Sequence, residues 1–231
     1  MIQEVLHSRD GKYERNAWVM STEGSPSGRL MIFLDGEFYV DRMNISTLLA
    51  ELGEEYSPFT GVFISNFDSE ARHYDYICNS EYARFVAEDV LVWVQERYPS
   101  VQLTNSLIGG LSLSGLQSAY IACNYPEVFN RALCQSPSFW WEQEWFLRNI
   151  NPDKIKNSQF WVSVGDQEKD TNVLHPPTNL FQEIDQVTAV EHVVELLRNR
   201  QIEVNYHPYV GGHNVGGWKT ELKEALSWLL K

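Results

Sequence analysis

Thr104-Asn-Ser-Leu-Ile-Gly-Gly-Leu-Ser-Leu-Ser-Gly115 carries the clearest structural signal in this 231-residue chain. It begins as a short β-type run, tightens through two adjacent glycines and leads into a helical segment that ends at Asn124. Its central part is close to the G-x-S-x-G pattern of a nucleophile elbow, in which a serine stands on a strained turn between a strand and a helix. The pattern makes Ser112 the candidate nucleophile and the backbone N–H of Leu113 a candidate oxyanion donor.

One position departs from the pattern, because Ser114 stands where the last glycine is usual and Gly115 follows it. Residues around such a turn are small because the backbone and the next helix pack at close range. We therefore expect the Ser114 side chain to point away from the packed helix. A glycine-rich turn that cradles a phosphate is the alternative interpretation, but the stretch has neither G-x-G-x-x-G nor a following lysine.

The segments on both sides of the elbow alternate between strand and helix patterns. Predicted strands cover 16–22, 29–34, 61–65, 104–109, 132–135, 159–164 and 202–206, and predicted helices cover 44–52, 81–98, 116–124, 178–199 and 216–230. Residues 23–28 are predicted as a turn and 136–146 as an aromatic loop. This alternation predicts an α/β fold with a mostly parallel sheet covered by helices on both faces, formed by one domain that spans residues 1–231. Ligands of such folds gather at the carboxyl ends of the strands.

Composition excludes several functional classes. A hydrophobic content of 43% and a charged content of 21% are ordinary for a soluble domain, and no apolar run is long enough to span a membrane. The formal net charge of −13 argues against binding to nucleic acid or to an anionic membrane. The mixed charges of residues 1–14 do not form a secretory leader. Three widely spaced cysteines, Cys78, Cys123 and Cys134, lack metal-ligand spacing and favour a reducing compartment, so we expect a cytoplasmic protein.

Two strand ends downstream of the elbow carry a candidate base and a candidate acid. His213 follows a glycine pair after the last predicted strand, and a neutral imidazole can take the proton of a serine hydroxyl. The turn after strand 159–164 carries Asp166, Glu168 and Asp170, one of which would hold the imidazole. The order serine, acid, histidine is that of α/β-hydrolases. The remaining histidines lack this context and are predicted to be structural or solvated: His7, His73, His175, His192 and His207.

Six blocks, in the same order along the chain, resemble the esterase family of α/β-hydrolases and, within it, the catalytic domain of enterochelin (ferric enterobactin) esterases. They are Ile32–Tyr39, Arg72 with Cys78-Asn79, Gly110–Gly115, Tyr125–Phe129, Gln135–Trp141 and Gly211–Trp218. The resemblance implies an α/β-hydrolase fold with a helix-covered sheet. The full-length enzymes carry an N-terminal β-domain that contributes to siderophore recognition, and we expect no counterpart of it within residues 1–231. Asn214 also differs, because relatives often have aspartate after the histidine.

Carried over residue by residue, the resemblance assigns Ser112 as nucleophile and His213 as base. It selects Glu168 as the acid, with Asp166 as the second choice. A second oxyanion donor would come from the backbone N–H of Gly36 or Glu37, in the turn after Leu34. For substrate binding, the resemblance implies that Arg72 lines the cleft beside Trp140 and Trp141, and packing in the core is the equally favoured alternative for these two tryptophans.

The predicted function is that of a serine carboxylic ester hydrolase that forms an acyl-enzyme on Ser112, with no metal and no organic cofactor. Its partner is a small-molecule ester: a siderophore trilactone, an acylated sugar or a simple aryl ester or thioester. Two alternatives stay open, an acyltransferase on the same fold and a non-catalytic relative that keeps the pocket for binding. Activity should fall below about pH 6–7 as the catalytic histidine protonates. Oligomeric state is not indicated by the sequence.

Overall fold

A computed structural model describes residues 1–22, 26–53, 55–56 and 58–231. Its centre is an eight-stranded sheet, and a two-stranded hairpin, β8 and β9, lies apart from it. The strands are β1 (Ile2–His7), β2 (Glu14–Ser21), β3 (Gly28–Leu34), β4 (Phe59–Ile64), β5 (Val101–Leu111), β6 (Phe129–Gln135), β7 (Gln159–Gly165), β8 (Val173–His175), β9 (Leu180–Gln182) and β10 (Glu203–Tyr209).

The order of the large sheet is β1-β2-β4-β3-β5-β6-β7-β10. Strands β1 and β2 pair antiparallel, as do β2 and β4, whereas every pair from β4 to β10 is parallel. The predicted α/β class with a mostly parallel sheet is therefore confirmed. Because the strands β3, β5, β6, β7 and β10 run in one direction, their carboxyl ends meet at one edge of the sheet.

Helices cover both faces of this sheet. They are α1 (Ile45–Gly53), α2 (Ser69–Asp75), α3 (Ser80–Arg84), α4 (Leu91–Arg97), α5 (Leu113–Asn124), α6 (Trp141–Asn149), α7 (Gln186–Asn199) and α8 (Val215–Leu229), with π-helical turns at Phe38–Arg42 and Phe85–Val90 and a 3₁₀ turn at Pro152–Ile155. One apolar cluster lies between the sheet and α3, α4, α5 and α7, and the second lies between the opposite face and α1 and α8. The central strands are buried on both faces, which explains their continuous apolar sequences.

Several predicted boundaries were wrong. The helix predicted over 178–199 begins only at Gln186, where the Asp185 side chain caps it by accepting the N–H of Thr188, and the residues before it form β9 and a loop. The helix predicted over 81–98 is interrupted by the π-helical turn. The aromatic loop ends at Trp140, because α6 starts at Trp141. Strand β1 and helix α2 were not predicted, and residues 23–25 of the predicted turn lie outside the described residues.

The buried residues agree with the predicted inward faces. Cys123 and Cys134 lie in the core as expected, and Cys78 is buried and free as well. On α8, the residues predicted to face inward are all buried: Trp218, Leu222, Ala225 and Leu229. Within the described ranges, none of the helices has both the length and the apolar character needed to cross a bilayer.

Candidate active site

Ser112 lies on the sharp turn between β5 and α5. Its backbone has φ 55° and ψ −122°, a left-handed conformation that costs energy for any residue with a Cβ. The turn is possible because its neighbours are glycines: a Cβ on Gly110 would lie 2.3 Å from the carbonyl oxygen of Ser114, and one on Gly115 would lie 3.2 Å from the Cα of Pro137. The strained serine and the close packing are those of a nucleophile elbow.

Ser114 turns its side chain back under this elbow, towards the sheet. Its fully buried Oγ accepts the backbone N–H of Leu111 at 2.9 Å. The same hydroxyl lies 2.7 Å from the carbonyl oxygen of Leu111 and 2.8 Å from Oδ2 of Asp35, and its single proton can serve one of these two acceptors at a time. A serine thus fits where the pattern has glycine, because the hydroxyl is hydrogen-bonded and directed away from the packed helix.

His213 and Glu168 form a hydrogen-bonded pair at the carboxyl ends of β10 and β7. Nδ1 of His213 lies 2.6 Å from Oε2 of Glu168. The other oxygen, Oε1, accepts bonds from the hydroxyl of Ser136 at 2.6 Å, the N–H of Gly165 at 2.7 Å and the hydroxyl of Tyr209 at 3.0 Å. Burial favours the neutral acid, but the bonds from His213, Ser136 and Gly165 outweigh it and hold the pKa of Glu168 below its ordinary value.

The two other carboxylates of this turn have different surroundings. Asp166 is exposed, and its Oδ1 accepts the backbone N–H of Gly211 at 3.0 Å. Asp170 is exposed and lies on the wall of the cleft. Of the three acidic residues that the sequence left open, Glu168 is the one bonded to His213. The imidazole also rests edge-on against the indole of Trp218, with ring centroids 5.0 Å apart.

Ser112 and His213 both face one cleft, which also reaches Leu113, Ser138 and Glu168 and encloses about 310 Å³. Among the described residues, the side-chain partner of Ser112 Oγ is the hydroxyl of Ser138 at 3.5 Å, and the bond between Ser112 and His213 is not formed in this conformation. Hydrogen bonds between catalytic groups often shorten only when substrate is bound. The position of Ser112 and His213 on one cleft is therefore what makes them candidates for a single site.

The turn after β3 lies next to the elbow. Asp35 has a left-handed backbone (φ 54°), and a Cβ on the next residue, Gly36, would lie 2.5 Å from the carbonyl carbon of Phe63. The fully buried Asp35 carboxylate accepts Nε and Nη2 of Arg72 at 2.6–2.9 Å, Nδ2 of Asn66 at 3.1 Å and the Ser114 hydroxyl. These bonds tie the turn that carries the predicted second oxyanion donor directly to the elbow.

Comparison with known proteins identifies the family to which this chain belongs. A family model described as "Putative esterase" matches residues 14–229, almost the whole chain. The chain belongs to this family. It is 26% identical over 228 residues to an iron(III) enterobactin esterase from Dickeya dadantii, covering 94% of this chain and 52% of that relative. The chain therefore spans about half the length of the curated enterobactin esterase it matches.

Solved structures of esterases share the fold. An enterobactin esterase from Shigella flexneri, determined in the presence of enterobactin, superposes with a TM-score of 0.82 at 21% identity over 99% of this chain and 58% of its own. A siderophore hydrolase from Aspergillus nidulans superposes with a TM-score of 0.71 at 18% identity, over 99% of this chain and 93% of that one. The fold of this esterase-family chain is that of the α/β-hydrolases, as expected.

The predicted substrate-binding residues have different positions in this esterase-family chain. Arg72 and Trp140 line the cleft. Trp140 is buried, and its indole N–H donates to Oε1 of Gln186 at 2.6 Å. Trp141 is not among the residues that line the cleft; it is partly buried and packs against the ring of Trp145, with centroids 5.8 Å apart. The structure thus brings one of the two tryptophans to the site and packs the other against the core.

Two histidines of the cleft were missed by the sequence analysis. His175 stacks on Trp140, with centroids 4.9 Å apart and an interplanar angle of 12°, and Nδ1 of His73 lies 2.7 Å from the Thr178 hydroxyl. Burial lowers the pKa of both imidazoles, and the nearby charge of Arg72 adds to this for His73. His175 precedes the predicted helix 178–199, in a segment to which the sequence assigned no element, so no pattern placed it at the cleft. Among the described residues, no three His, Cys, Asp or Glu side chains cluster as metal ligands.

Proposed function

We propose that this chain is a serine carboxylic ester hydrolase that works through an acyl-enzyme on Ser112. The observation that carries this proposal is the His213–Glu168 pair, which faces the same cleft as a serine held in a strained elbow. Membership of the esterase family supports the same chemistry. In this proposal His213 is the base and Glu168 is the acid that orients it.

Each group has a defined task in the proposed cycle. Nε2 of His213 takes the Ser112 proton while Oγ attacks the ester carbonyl carbon. The negative oxygen of the tetrahedral intermediate is stabilised by the N–H of Leu113 and by that of Gly36 or Glu37, each donor being worth about 3 kcal/mol. The histidine returns its proton to the leaving alcohol, and water then releases the acid by the reverse sequence.

The lowered pKa of Glu168 fits the role of the acid. A carboxylate that stays ionised can hold Nδ1–H of His213 and stabilise the imidazolium that forms during each proton transfer. Its second oxygen is fully occupied by the bonds from Ser136, Gly165 and Tyr209, so the carboxylate cannot rotate freely. The base is therefore held in one tautomer and one orientation before substrate arrives.

For the substrate, we propose a siderophore ester, because the chain resembles an iron(III) enterobactin esterase and a siderophore hydrolase. Trp140 and His175 stack to form a flat aromatic wall beside Ser112, suited to an aryl group. Arg72 and His73 add cationic or hydrogen-bonding groups on a chain whose formal net charge is −13. Feruloyl and acetyl esters are the comparison substrates.

Labelling with a fluorophosphonate probe tests this function. We expect the probe to label Ser112, and Ser112→Ala to abolish labelling together with hydrolysis of p-nitrophenyl acetate, a siderophore trilactone and a feruloyl ester. Ser46→Ala, which changes an exposed serine far from the elbow in sequence, is the matched control and should keep both activities. Turnover that persists in Ser112→Ala after purification would refute the assignment.

We also propose a cytoplasmic location. All three cysteines are free and buried, and burial raises the pKa of each thiol, which keeps it in the unreactive protonated form. Secreted proteins of this size more often use cysteines in disulfides. Fractionation of cells that express the protein at native level would test this location.

A further inference from the structure

Glu37 is an acidic residue placed directly at the proposed oxyanion turn. Its Oε1 accepts Nδ2 of Asn66, whereas its Oε2 is buried and has no hydrogen-bond partner among the residues that the structure describes. An ionised carboxylate with one buried, unpartnered oxygen is costly, because the charge is removed from water and only partly compensated. A neutral carboxyl group pays far less for the same position.

The charges around Glu37 also favour its neutral form. Asp35 faces it from the end of β3, and the Nδ2 of Asn66 lies between the two carboxyl groups. Arg72, on α2, makes its side-chain hydrogen bonds with Asp35, so its charge is already matched. With Glu37 ionised, two carboxylates share one guanidinium and the cluster carries a net charge of −1. With Glu37 neutral, the cluster carries no net charge.

The proton affinity of Glu37 follows from these surroundings. Burial raises the pKa of Glu37 to about 7, and the charge of Asp35 acts in the same direction. The backbone N–H groups of Glu37 itself and of Asn66, and the charge of Arg72, act in the opposite direction and are outweighed. An ionised Glu37 is thus partly stabilised by its own N–H, which is one of the two candidates for the second oxyanion donor.

We propose that Glu37 is a positioning residue whose neutral form keeps the oxyanion site active and whose ionised form weakens it. Ionisation adds a negative charge beside the developing oxyanion, and the carboxylate then competes for the N–H of its own residue. This inference rests on the proposed function, because it needs an ester carbonyl at Ser112. It predicts that the enzyme is fastest near neutral pH and slows on the alkaline side.

The test is the pH dependence of kcat/KM for p-nitrophenyl acetate between pH 5 and pH 9.5, corrected for spontaneous hydrolysis. In the wild type, kcat/KM should fall about tenfold per pH unit above about pH 7, until the residual activity of the ionised form is reached. In Glu37→Gln, which keeps the shape and removes the charge, the acidic limb should remain and kcat/KM should stay level up to pH 9. Asp41→Asn, an exposed carboxylate four residues further on, is the matched control and should behave like the wild type.

The possible outcomes separate this inference from the proposed function. A wild-type enzyme that turns over no ester at any pH overturns both. A wild type that is active but level from pH 7 to pH 9 overturns the inference alone, and this measurement does not depend on whether Glu37→Gln folds. Profiles of the wild type and Glu37→Gln that superpose also overturn it. An alkaline fall that is present in the wild type and in Asp41→Asn, but lost in Glu37→Gln, supports it.

Discussion

Replacing Glu221 by glutamine tests how much one buried carboxyl group costs this fold. Glu221 lies on α8 with 3% of its surface exposed, beneath the strand ends that carry the candidate triad. Its Oε1 accepts Nε2 of Gln135 at 2.8 Å and the hydroxyl of Ser163 at 2.5 Å, and its Oε2 lies 3.4 Å from the indole nitrogen of Trp161. The imidazole Nε2 of His207 lies 4.0 Å from Oε2 of Glu221.

The size of the effect on stability follows from the shifted pKa of Glu221. Burial raises the pKa of Glu221 from 4.5 to about 7, even though the bonds from Ser163, Gln135 and Trp161 oppose the change. A folded-state pKa above the unfolded value means that unfolding releases a proton, so stability is greatest below pH 4.5 and is lost as the pH rises towards 7. The full loss is about 3 kcal/mol, of which about 2.5 kcal/mol falls between pH 5 and pH 8.

Urea unfolding at pH 5 and at pH 8 measures this pH-dependent loss of folding free energy. Titrations of other groups are common to both proteins and cancel in the difference between Glu221→Gln and the wild type. We expect the variant to gain about 2.5 kcal/mol relative to the wild type on going from pH 5 to pH 8. Glu224→Gln, at an exposed position of the same helix, should show no such change. A difference between Glu221→Gln and the wild type that is equal at the two pH values would refute the reasoning.

Two further variants probe the site and the elbow. Glu168→Gln should lower kcat by about 10³-fold or more in an ester hydrolysis assay, because glutamine cannot stabilise the imidazolium. Asp166→Asn should retain kcat within about threefold. Equal losses of kcat in the two variants would contradict the choice of Glu168 as the acid. Gly110→Ala should unfold at a clearly lower temperature in a calorimetric scan, since its Cβ would lie 2.3 Å from a carbonyl oxygen. Gly212→Ala, whose Cβ would meet no atom of the described residues within 4 Å, should melt like the wild type. An unchanged melting temperature for Gly110→Ala would show that the elbow can relax.

The elements that the sequence predicted well are those with a local signature. The strand-glycine-serine-glycine stretch around Ser112 encodes a turn that only small residues permit, and the central strands were visible as continuous apolar runs. The choice among Asp166, Glu168 and Asp170 has no such signature in the residues alone, because all three lie on one turn. In the structure, His213 approaches from another strand and contacts Glu168, which distinguishes this residue from the other acids. The family resemblance had already favoured Glu168.

The errors have a physical cause as well. Residues 178–184 include apolar side chains at spacings that also suit a helix, so the predicted helix included β9. For the same reason the sequence did not identify Asp185 as the N-cap of α7. His175, which forms part of the cleft wall, lies just before this segment in the three-residue strand β8, and no pattern in the sequence marks that strand. Contacts such as His73 with Thr178, or Asn66 with Asp35, join segments far apart in the chain. Neither periodicity nor spacing carries information about such pairs.

Arg72 shows how the structure changes the interpretation of a residue that the family resemblance assigned to substrate binding. It lines the cleft, but Asp35 takes up its side-chain hydrogen bonds, so its charge is largely neutralised before any substrate arrives. Asp35 in turn accepts the hydroxyl of Ser114, which joins the oxyanion turn to the elbow through one buried carboxylate. Because Arg72 stabilises that carboxylate, its first task is to fix the distance between the two halves of the proposed oxyanion site.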